Sequence, residues 1–184
     1  GDVNPSGKLP FTFPEKLEHV GAHALGEHPG DSINVRYNEG IYVGYRYSDK
    51  KKLRPLFSFG HGLSYTKFEY SDATISNKEM TAEETLTVSV KVKNTGNREG
   101  KEIVQLYIAD KKSRLERPIK ELKGFDKINL KPGEEKVVNF VIGKDALSYY
   151  DDKAGQWVAE PGDFEAIVGA SSTDLKVKLK FTLR

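Results

Sequence analysis

Two stretches of the chain alternate strictly between apolar and polar residues, a period that no helix reproduces. Apolar side chains occupy every second position from Leu86 to Val92, and lysine or hydroxyl residues fill the positions between them. The segment from Leu175 to Leu183 repeats the pattern. Because successive side chains of an extended strand point to opposite faces, both stretches are predicted to be half-buried β-strands. Outward lysines on the last strand also favour an edge position, where charge discourages pairing with another chain.

Further short strands are expected between these two, separated by turn-forming residues. The candidates cover residues 102–109, 122–130, 135–142 and 164–169. Glycine, proline, asparagine and aspartate cluster between them, at residues 94–97, 131–134, 160–163 and 171–174. Several short strands at this spacing predict a mainly β fold, with two packed antiparallel sheets of the immunoglobulin or fibronectin type III kind. The pattern alone leaves a barrel open as the alternative.

The first 67 residues have a different character. They are rich in glycine, proline, histidine and aromatic residues, and only residues 41–47 look like a strand, with Ile41, Val43 and Tyr45 on one side. A segment of this length and composition would bury too little apolar surface to fold alone. We therefore expect it to pack against another part of the protein, and part of that partner is expected to lie outside this chain.

Composition excludes several classes of protein. Without cysteine the chain has no disulfide and no thiolate metal site, which fits a cytoplasmic protein as well as many proteins in the bacterial periplasm or secreted by bacteria. Acidic and basic residues nearly balance, so we expect no nucleic-acid partner. No apolar run approaches the roughly 20 residues that cross a membrane. Because the chain begins with Gly1 and has no basic-then-apolar leader, we expect it to be a processed or excised piece.

Several motifs follow one another along the whole chain and carry a family resemblance. The first third contains GDVNPSGKLP at residues 1–10, EGIYVGYRY at residues 39–47 and PLFSFGHGLSY at residues 55–65. The remainder contains ELKGF at residues 121–125, LKPGE at residues 130–134, LSYYD at residues 147–151 and EPGDF at residues 160–164. In this order the motifs resemble glycoside hydrolase family 3, and the β-glucosidases in particular.

The resemblance implies a division of the chain. Residues 1–67 look like the carboxy-terminal tail of the family's α/β-sandwich domain, an incomplete segment of that domain. Residues 68–184 look like its fibronectin type III-like domain. The partner implied for this chain is the barrel and sandwich portion of the same enzyme, upstream of these residues.

The resemblance also implies a reaction whose reacting groups are absent from this chain. Family members hydrolyse β-glucosides and short oligosaccharides with retention, which requires two carboxyl groups about 5–5.5 Å apart. The nucleophilic aspartate belongs to the barrel domain, and the acid/base glutamate lies upstream of the segment that opens this chain. No catalytic, cofactor-binding or metal-binding residue is therefore assigned here, no cofactor is implied, and this chain alone is predicted to be inactive.

Two alternatives stay open. The parent enzyme could be a related β-xylosidase, although the EGIYVGYRY form favours the β-glucosidases. A different class of function is a stand-alone fibronectin-like module that binds carbohydrate or a cell surface, since a fold alone does not decide function. His61 departs from the tyrosine that family members often carry, and we expect the change to affect packing at a domain junction.

Individual residues admit both a structural and a functional interpretation. The acidic pairs Glu15 and Glu18, Glu27 and Asp31, and Asp151 and Asp152 are expected to be solvated surface groups. His19, His23 and His28 lie close enough in sequence for a metal site, but Gly21 and the downstream Pro29 argue against a helix that presents both of the first two rings. Residues 22–38 are expected to form a surface or interdomain loop, with a place beside the active site of the intact enzyme as the functional alternative.

The aromatic and basic residues are interpreted in the same way. The aromatics are expected to pack in a core or interface rather than stack on sugars: Tyr37, Tyr42, Tyr45, Tyr47, Phe57, Phe59 and Tyr65. Glu39 and Arg46 are expected to be buried charges with structural hydrogen bonds. The basic run is expected to be a solvated loop: Lys111, Lys112, Arg114, Arg117, Lys120 and Lys123. Trp157 is expected to pack in the sandwich core, with an exposed sugar-binding ring as the alternative.

Overall fold

Two sheets pack face to face over residues 68–184 of the computed structural model, which describes all 184 residues. The three-stranded sheet has the order β1 (Phe68–Ile75), β3 (Leu86–Asn94), β6 (Glu135–Ile142). The five-stranded sheet has the order β2 (Glu79–Met80), β10 (Leu175–Leu183), β9 (Gly162–Gly169), β4 (Gly100–Asp110), β5 (Glu121–Leu130). All neighbours are antiparallel except the short β10–β2 pair. The predicted sandwich is confirmed, and the barrel alternative is wrong because the sheets do not close.

The core lies between the inner faces of the two sheets. Val88, Val90 and Val92 of β3 alternate with partly exposed polar residues and point toward the other sheet. Nineteen buried residues form one contiguous apolar cluster there. Each fully buried aliphatic side chain contributes about 1.5–3 kcal/mol relative to an exposed one. The period-two pattern therefore identified the inner faces, and the six predicted strands correspond to observed strands with bounds that differ by at most two residues.

Strand β10 is an edge for most of its length. Only Thr182 and Leu183 pair with the two-residue strand β2, so the lysines that precede them lie on a strand with one free side. The edge position predicted for this strand thus holds except at its last two residues, where β2 covers it.

Strands β4 and β9 are buried on both faces, unlike the other strands. Their second face belongs to the outer surface of the five-stranded sheet, where Tyr107, Ala109 and Ile167 form a small buried cluster. Tyr45 packs on this cluster, with its ring centroid 5.9 Å from that of Tyr107. Residues 1–67 therefore act as a cover for the outer face of this sheet.

The first third of the chain contains short helical segments and no strand. A 3₁₀ turn spans Leu17–His19, and the helices α1 and α2 span Gly21–Ala24 and Tyr45–Lys51. The strand predicted at residues 41–47 is wrong. Gly44 has a φ of 60°, which ends any extended run, and the chain then turns into α2. No helix of the structure is long and apolar enough to cross a membrane.

A strap at residues 58–60 fastens this cover to the sandwich. Ser58 donates a hydrogen bond from Oγ to Oγ of Ser171, 3.2 Å away, and the carbonyl of Phe59 accepts from the backbone N–H of Ser172 at 2.9 Å. Gly60 lies against the side chain of Gln105, with a φ of 82°. Gln105 is itself buried and accepts a 2.5 Å hydrogen bond from the hydroxyl of Tyr107. The positive φ therefore favours glycine at position 60, and a Cβ there would displace the buried amide of Gln105.

A small hairpin projects beyond the two sheets. It consists of β7 (Tyr149–Asp151) and β8 (Gln156–Val158), and it follows helix α3 (Lys144–Leu147). Asp151 closes its turn by accepting hydrogen bonds from the N–H groups of Lys153 and Ala154. The guanidinium of Arg114 bonds Asp151 and lies 3.2 Å from Glu160, so the base of the hairpin is pinned by charge.

We expect Gly60→Ala to destabilise the protein more than an ordinary glycine substitution. Both Gly60 and Gly133 have positive φ, so alanine costs about 1–2 kcal/mol of backbone strain at either position. A Cβ at position 60 would lie 2.3 Å from Gln105 Nε2, whereas nothing lies within 4 Å at position 133. Overpacking should add about 1–3 kcal/mol at position 60 alone. Urea unfolding measures both variants, and equal losses would contradict the strap.

We expect acid to loosen the β7–β8 hairpin through the carboxylates at its base. The guanidinium of Arg114 lowers the pKa of Asp151 below its ordinary 3.8, and the backbone N–H of Arg114 lowers the pKa of Glu160 below 4.5. Since both values are lower in the folded state, the stabilisation is complete above about pH 5 and is lost as pH falls through the folded values. Trp157 is the only tryptophan of the chain and reports the hairpin by its fluorescence.

In Arg114→Met, the acid transition of this fluorescence should move toward the ordinary carboxyl range. Arg184→Met removes an exposed ion pair with Glu79 and should leave the transition where it is. If the acid transition occurred at the same pH in both variants and in the unmodified chain, the role of Arg114 would be contradicted.

Candidate functional site

Only part of the basic run is the solvated loop that was predicted. Lys111, Lys112 and Arg114 are exposed as expected, whereas the side chains of Arg117 and Lys120 are buried and form the charged centre of the junction between the cover and the sandwich.

The side chain of Arg117 is 7% exposed and lies 3.0 Å from Asp110 and 2.8 Å from Glu121. It also donates a 2.8 Å hydrogen bond to the carbonyl of Leu147. Its guanidinium therefore ties β4, β5 and α3 together with charge-assisted bonds. The acids at positions 110 and 121, on either side of Arg117, were the available signal.

Two neighbouring ion pairs connect this centre to helix α2. The ammonium of Lys120 is buried against Asp49 and lies 5.7 Å from the ring centre of Tyr45. Arg46 pairs with Glu121 at 3.3 Å, as predicted for a structural charge, although about a third of its side chain is exposed. The hydroxyl of Tyr45 accepts a 2.9 Å hydrogen bond from the N–H of Leu122. The position of α2 on the sandwich is therefore set by several directional contacts.

A second anchor lies near the start of the chain. The ammonium of Lys8 lies 3.2 Å from Glu102 and from the carbonyl of Ala170. Glu102 also accepts a 2.9 Å hydrogen bond from the hydroxyl of Tyr70. Burial, with the charge of Glu102, raises the pKa of Tyr70 well above its ordinary value, so this hydroxyl stays a donor. The segment is thus held to the sandwich at both of its ends.

The outward side of residues 1–67 is unusually apolar. Of the 21 large hydrophobic side chains that the structure exposes, 15 lie in the first 65 residues, about a third of the chain. We call these exposed apolar side chains together the open face, and its most exposed members are Val3, Ile33, Tyr37, Val43, Leu56 and Leu63. Their concentration in one segment indicates an interaction site, because exposed hydrophobic residues on ordinary surface are scattered singly.

A cavity of about 350 Å³ opens between residues 11 and 48 and contains unpaired polar atoms. Three of the four buried side-chain atoms without a hydrogen-bond partner line it, namely Thr12 Oγ1, His19 Nδ1 and Glu39 Oε2. The expectation that Glu39 makes structural hydrogen bonds is therefore wrong for this oxygen. Buried polar atoms are almost always paired in folded proteins, so water or a partner surface is expected to supply donors and acceptors in this cavity.

The acidic and histidine residues singled out in the sequence are not brought together. Glu15, Glu18, Asp31 and Asp152 are exposed, as expected. Two acids are exceptions: Asp151 is 4% exposed and bound to Arg114, and Glu27 is half-buried and accepts a hydrogen bond from the side chain of Asn38. His19 and His23 lie on separate short turns. No group of three or more histidine, cysteine or acidic side chains is arranged to hold a metal ion.

The aromatic residues divide between the junction and the surface. Tyr42, Tyr45, Tyr47 and Phe59 pack as predicted, whereas Tyr37, Phe57 and Tyr65 are exposed. His61 lies 5.2 Å from Phe57, ring centre to ring centre, and so takes part in packing within the cover. Of residues 22–38, the first three complete α1 and residues 25–38 form an irregular stretch.

Trp157 does not pack in the sandwich core, which corrects the prediction made for it. Its side chain is 65% exposed on the outward side of the β7–β8 hairpin. The hairpin forms a separate two-stranded sheet, so no facing sheet covers this ring. Nothing in the local pattern of residues 156–158 distinguishes this position from a core position.

Comparison with known proteins finds that the chain is similar to one part of several β-glucosidases. A family model described as a fibronectin type III-like domain matches residues 102–172. The chain is 55% identical over 183 residues to the β-glucosidase BoGH3A of Bacteroides ovatus and 53% identical over 178 residues to the thermostable β-glucosidase B of Acetivibrio thermocellus. These matches cover 98% and 97% of the chain but only 24% and 23% of those proteins. The chain thus spans about a quarter of their length.

Solved structures give the same result. The GH3 β-glucosidase of Bifidobacterium adolescentis matches with a TM-score of 0.91 at 36% identity, over 100% of this chain and 26% of that one. β-Glucosidase 3B of Thermotoga neapolitana, solved with α-D-glucose, matches with a TM-score of 0.87 at 44% identity, over 99% of this chain and 25% of that one. Over almost its whole length, the chain is a relative of the carboxy-terminal region of β-glucosidases of glycoside hydrolase family 3, including their fibronectin type III-like domain.

Proposed function

We propose that these 184 residues are the carboxy-terminal scaffold of a β-glucosidase that removes terminal β-linked glucose with retention. The two reacting carboxyl groups would lie in parts of the protein outside these residues. Residues 1–67 would complete an α/β-sandwich domain, and residues 68–184 would be the fibronectin type III-like domain that holds them. The observation that carries the proposal is the open face, because it is the surface of residues 1–67 that the sandwich leaves uncovered.

The open face supports a large partner. At about 25 cal/mol for each Å² of apolar area removed from water, covering even a few of these side chains stabilises an assembly by several kcal/mol. The 350 Å³ cavity supports the same conclusion on polar grounds. Thr12, His19 and Glu39 each present an unpaired buried atom there, and a partner surface would supply the missing hydrogen bonds. An interface that buries both kinds of group would fix the register of the partner as well as its affinity.

The scaffold would act by positioning. The ion pairs of Lys120 with Asp49 and of Glu121 with Arg46 hold α2 on the sandwich. Helix α2 in turn carries residues that line the cavity, including Tyr47 and Ser48. A partner that docks on the open face would therefore take its orientation from the sandwich. Misplacement of a reacting group by about 1 Å can cost on the order of 10²-fold in rate, so such a scaffold would affect turnover without touching substrate.

The names of the relatives favour glucose over xylose as the sugar removed, since the proteins compared above are all β-glucosidases. A stand-alone binding module is the second interpretation. Such a module would leave the open face uncovered and the buried polar atoms of the cavity unpaired. We therefore favour the scaffold role.

We expect the isolated chain to be inactive on nitrophenyl β-glucoside and to restore hydrolysis when it is co-expressed with the upstream portion of the protein. The restored activity should yield the β-anomer first, as retention requires, and should exceed the activity on nitrophenyl β-xyloside. Leu56→Glu places a charge on the open face and should prevent restoration, whereas Lys178→Glu on the distant strand β10 should not. Hydrolysis by the isolated chain at an ordinary enzymatic rate would overturn the proposal, as would failure to restore activity with both parts folded.

We also expect Arg117→Met to destabilise the sandwich strongly at its contact with the cover. Its partner Asp110 is only 3% exposed at the side chain, and removing one member of a buried ion pair costs about 3–5 kcal/mol. The matched control is Arg184→Met, which removes an exposed pair with Glu79 and should cost less than about 1 kcal/mol. Urea unfolding compares the two, and similar losses would show that Arg117 does not tie β4, β5 and α3 together.

A further inference from the structure

The β7–β8 hairpin presents two aromatic rings to solvent. Tyr150 and Trp157 occupy directly opposed positions on the two strands, and their ring centroids lie 5.7 Å apart at an interplanar angle of 69°. Tyr150 is 52% exposed and Trp157 is 65% exposed. A tryptophan side chain is usually largely covered, because few other side chains gain as much by leaving water. An indole left in solvent on an ordered strand therefore requires a reason.

The backbone that carries the indole is anchored. Tyr149 and Asp151 on the opposite side of β7 are buried, so the strand is held by its inner face. The hydroxyl of Tyr149 donates a 2.6 Å hydrogen bond to Glu160, and Arg114 bonds both Glu160 and Asp151. A ring on an anchored strand has less conformational entropy to lose on binding than a ring on a mobile loop. The position of Trp157 is thus suited to contact a ligand.

Beside the ring lies an open depression with polar walls. It measures about 420 Å³ and is lined by Trp157, Lys123, Asp145 and Ser148. The ammonium of Lys123 lies 3.9 Å from Glu121, beyond hydrogen-bond distance, and burial lowers the pKa of Lys123. Its donors are therefore partly desolvated and only loosely engaged. Asp145 offers exposed acceptors, and the hydroxyl of Ser148, which donates to the carbonyl of Lys144, keeps its own lone pairs free.

These walls restrict the chemistry of a ligand. An anion would meet Asp145 as well as Lys123, so the depression does not favour a phosphate or a carboxylate. A purely apolar ligand would remove water from both charged groups without replacing their hydrogen bonds, which is costly. A pyranose ring satisfies both sides, because its C–H face packs on an indole while its hydroxyl edge donates to a carboxylate and accepts from an ammonium. Sugars with equatorial hydroxyls offer the flattest such face.

We propose that the depression at Trp157 is a saccharide-binding site that stacks one pyranose ring of a β-linked glucan on the indole and bonds its hydroxyls to Lys123, Asp145 and Ser148. The site belongs to the sandwich and its hairpin, and the open face takes no part in it. It stands whether or not the parent protein hydrolyses glucosides.

The single tryptophan makes the site directly measurable. Titration of the chain with cellohexaose, up to about 10 mM, should change the Trp157 emission along a saturating curve. β-1,4-Galactohexaose, whose axial C4–O bonds interrupt the ring face, should bind more weakly. No saturating change with cellohexaose would overturn the proposal, and equal affinity for the galactan would overturn the assignment to equatorial sugars.

Variants test the ring itself by retardation in gels that contain a soluble β-glucan. Trp157→Ala should weaken binding at least about tenfold. Trp157→Phe keeps a smaller ring, so its affinity should lie between that of Trp157→Ala and that of the unmodified chain. The matched control is Val141→Ala, which shortens a side chain of similar exposure, 68%, on the three-stranded sheet. This variant should bind like the unmodified chain. Circular dichroism and urea unfolding confirm that each variant is folded. Binding that survives Trp157→Ala would overturn the proposal.

The remaining alternative is that another part of a longer protein covers the ring. Hydroxyl-radical footprinting of the protein extended upstream to the length of its relatives decides this question. Trp157 should be modified freely without glucan and protected when cellohexaose is added. Protection in the absence of glucan would show an interdomain contact and would overturn the saccharide site. This outcome would leave the scaffold role untouched, so the two proposals fail separately.

Discussion

The outer face of the five-stranded sheet must be covered, and the rest of the structure follows from this requirement. Tyr107, Ala109 and Ile167 point away from the main core, and in a lone sandwich they would be exposed. Residues 1–67 cover them with Tyr45 and with the strap at Gly60, which lies directly on Gln105. Burial on both faces makes β4 and β9 the central strands of the molecule. The segment and the sandwich are therefore parts of one packed unit.

Charged groups fix the orientation of residues 1–67 on the sandwich, whereas apolar burial supplies the free energy that keeps them packed there. An apolar contact such as that of Tyr45 on Tyr107 tolerates small sliding motions, whereas the ion pairs of Lys120 with Asp49 and of Arg46 with Glu121 do not. Buried pairs of this kind add little net stability relative to apolar residues, but they are costly to break. Directional bonds on one side of residues 1–67 and an apolar face on the other are what a positioning element needs.

Sequence patterns located the strands because a sheet with one solvent-exposed face imposes a period of two on its side chains. The wrong predictions share a cause, since each depends on contacts with residues distant in the sequence. Residues 41–47 alternate as a strand does, but the positive φ of Gly44 and the contacts of Tyr45 and Asp49 with the sandwich turn them into α2. Arg117 and Lys120 read as solvated charges, because their acidic partners are separated in sequence or belong to another element. Trp157 reads as core, because the pattern does not reveal that β8 pairs only with β7.

What the sequence determined by itself was the set of half-buried strands, the turns between them and the family whose motifs the chain carries. Each of these depends on residues close together in the chain, through side-chain alternation, glycine and proline conformations, or short ordered motifs. Only the tertiary structure decided which charges are buried, which aromatics are exposed and where the apolar surface remains open. Those properties depend on spatial neighbours that are distant in the sequence, and a local sequence pattern contains no information about them.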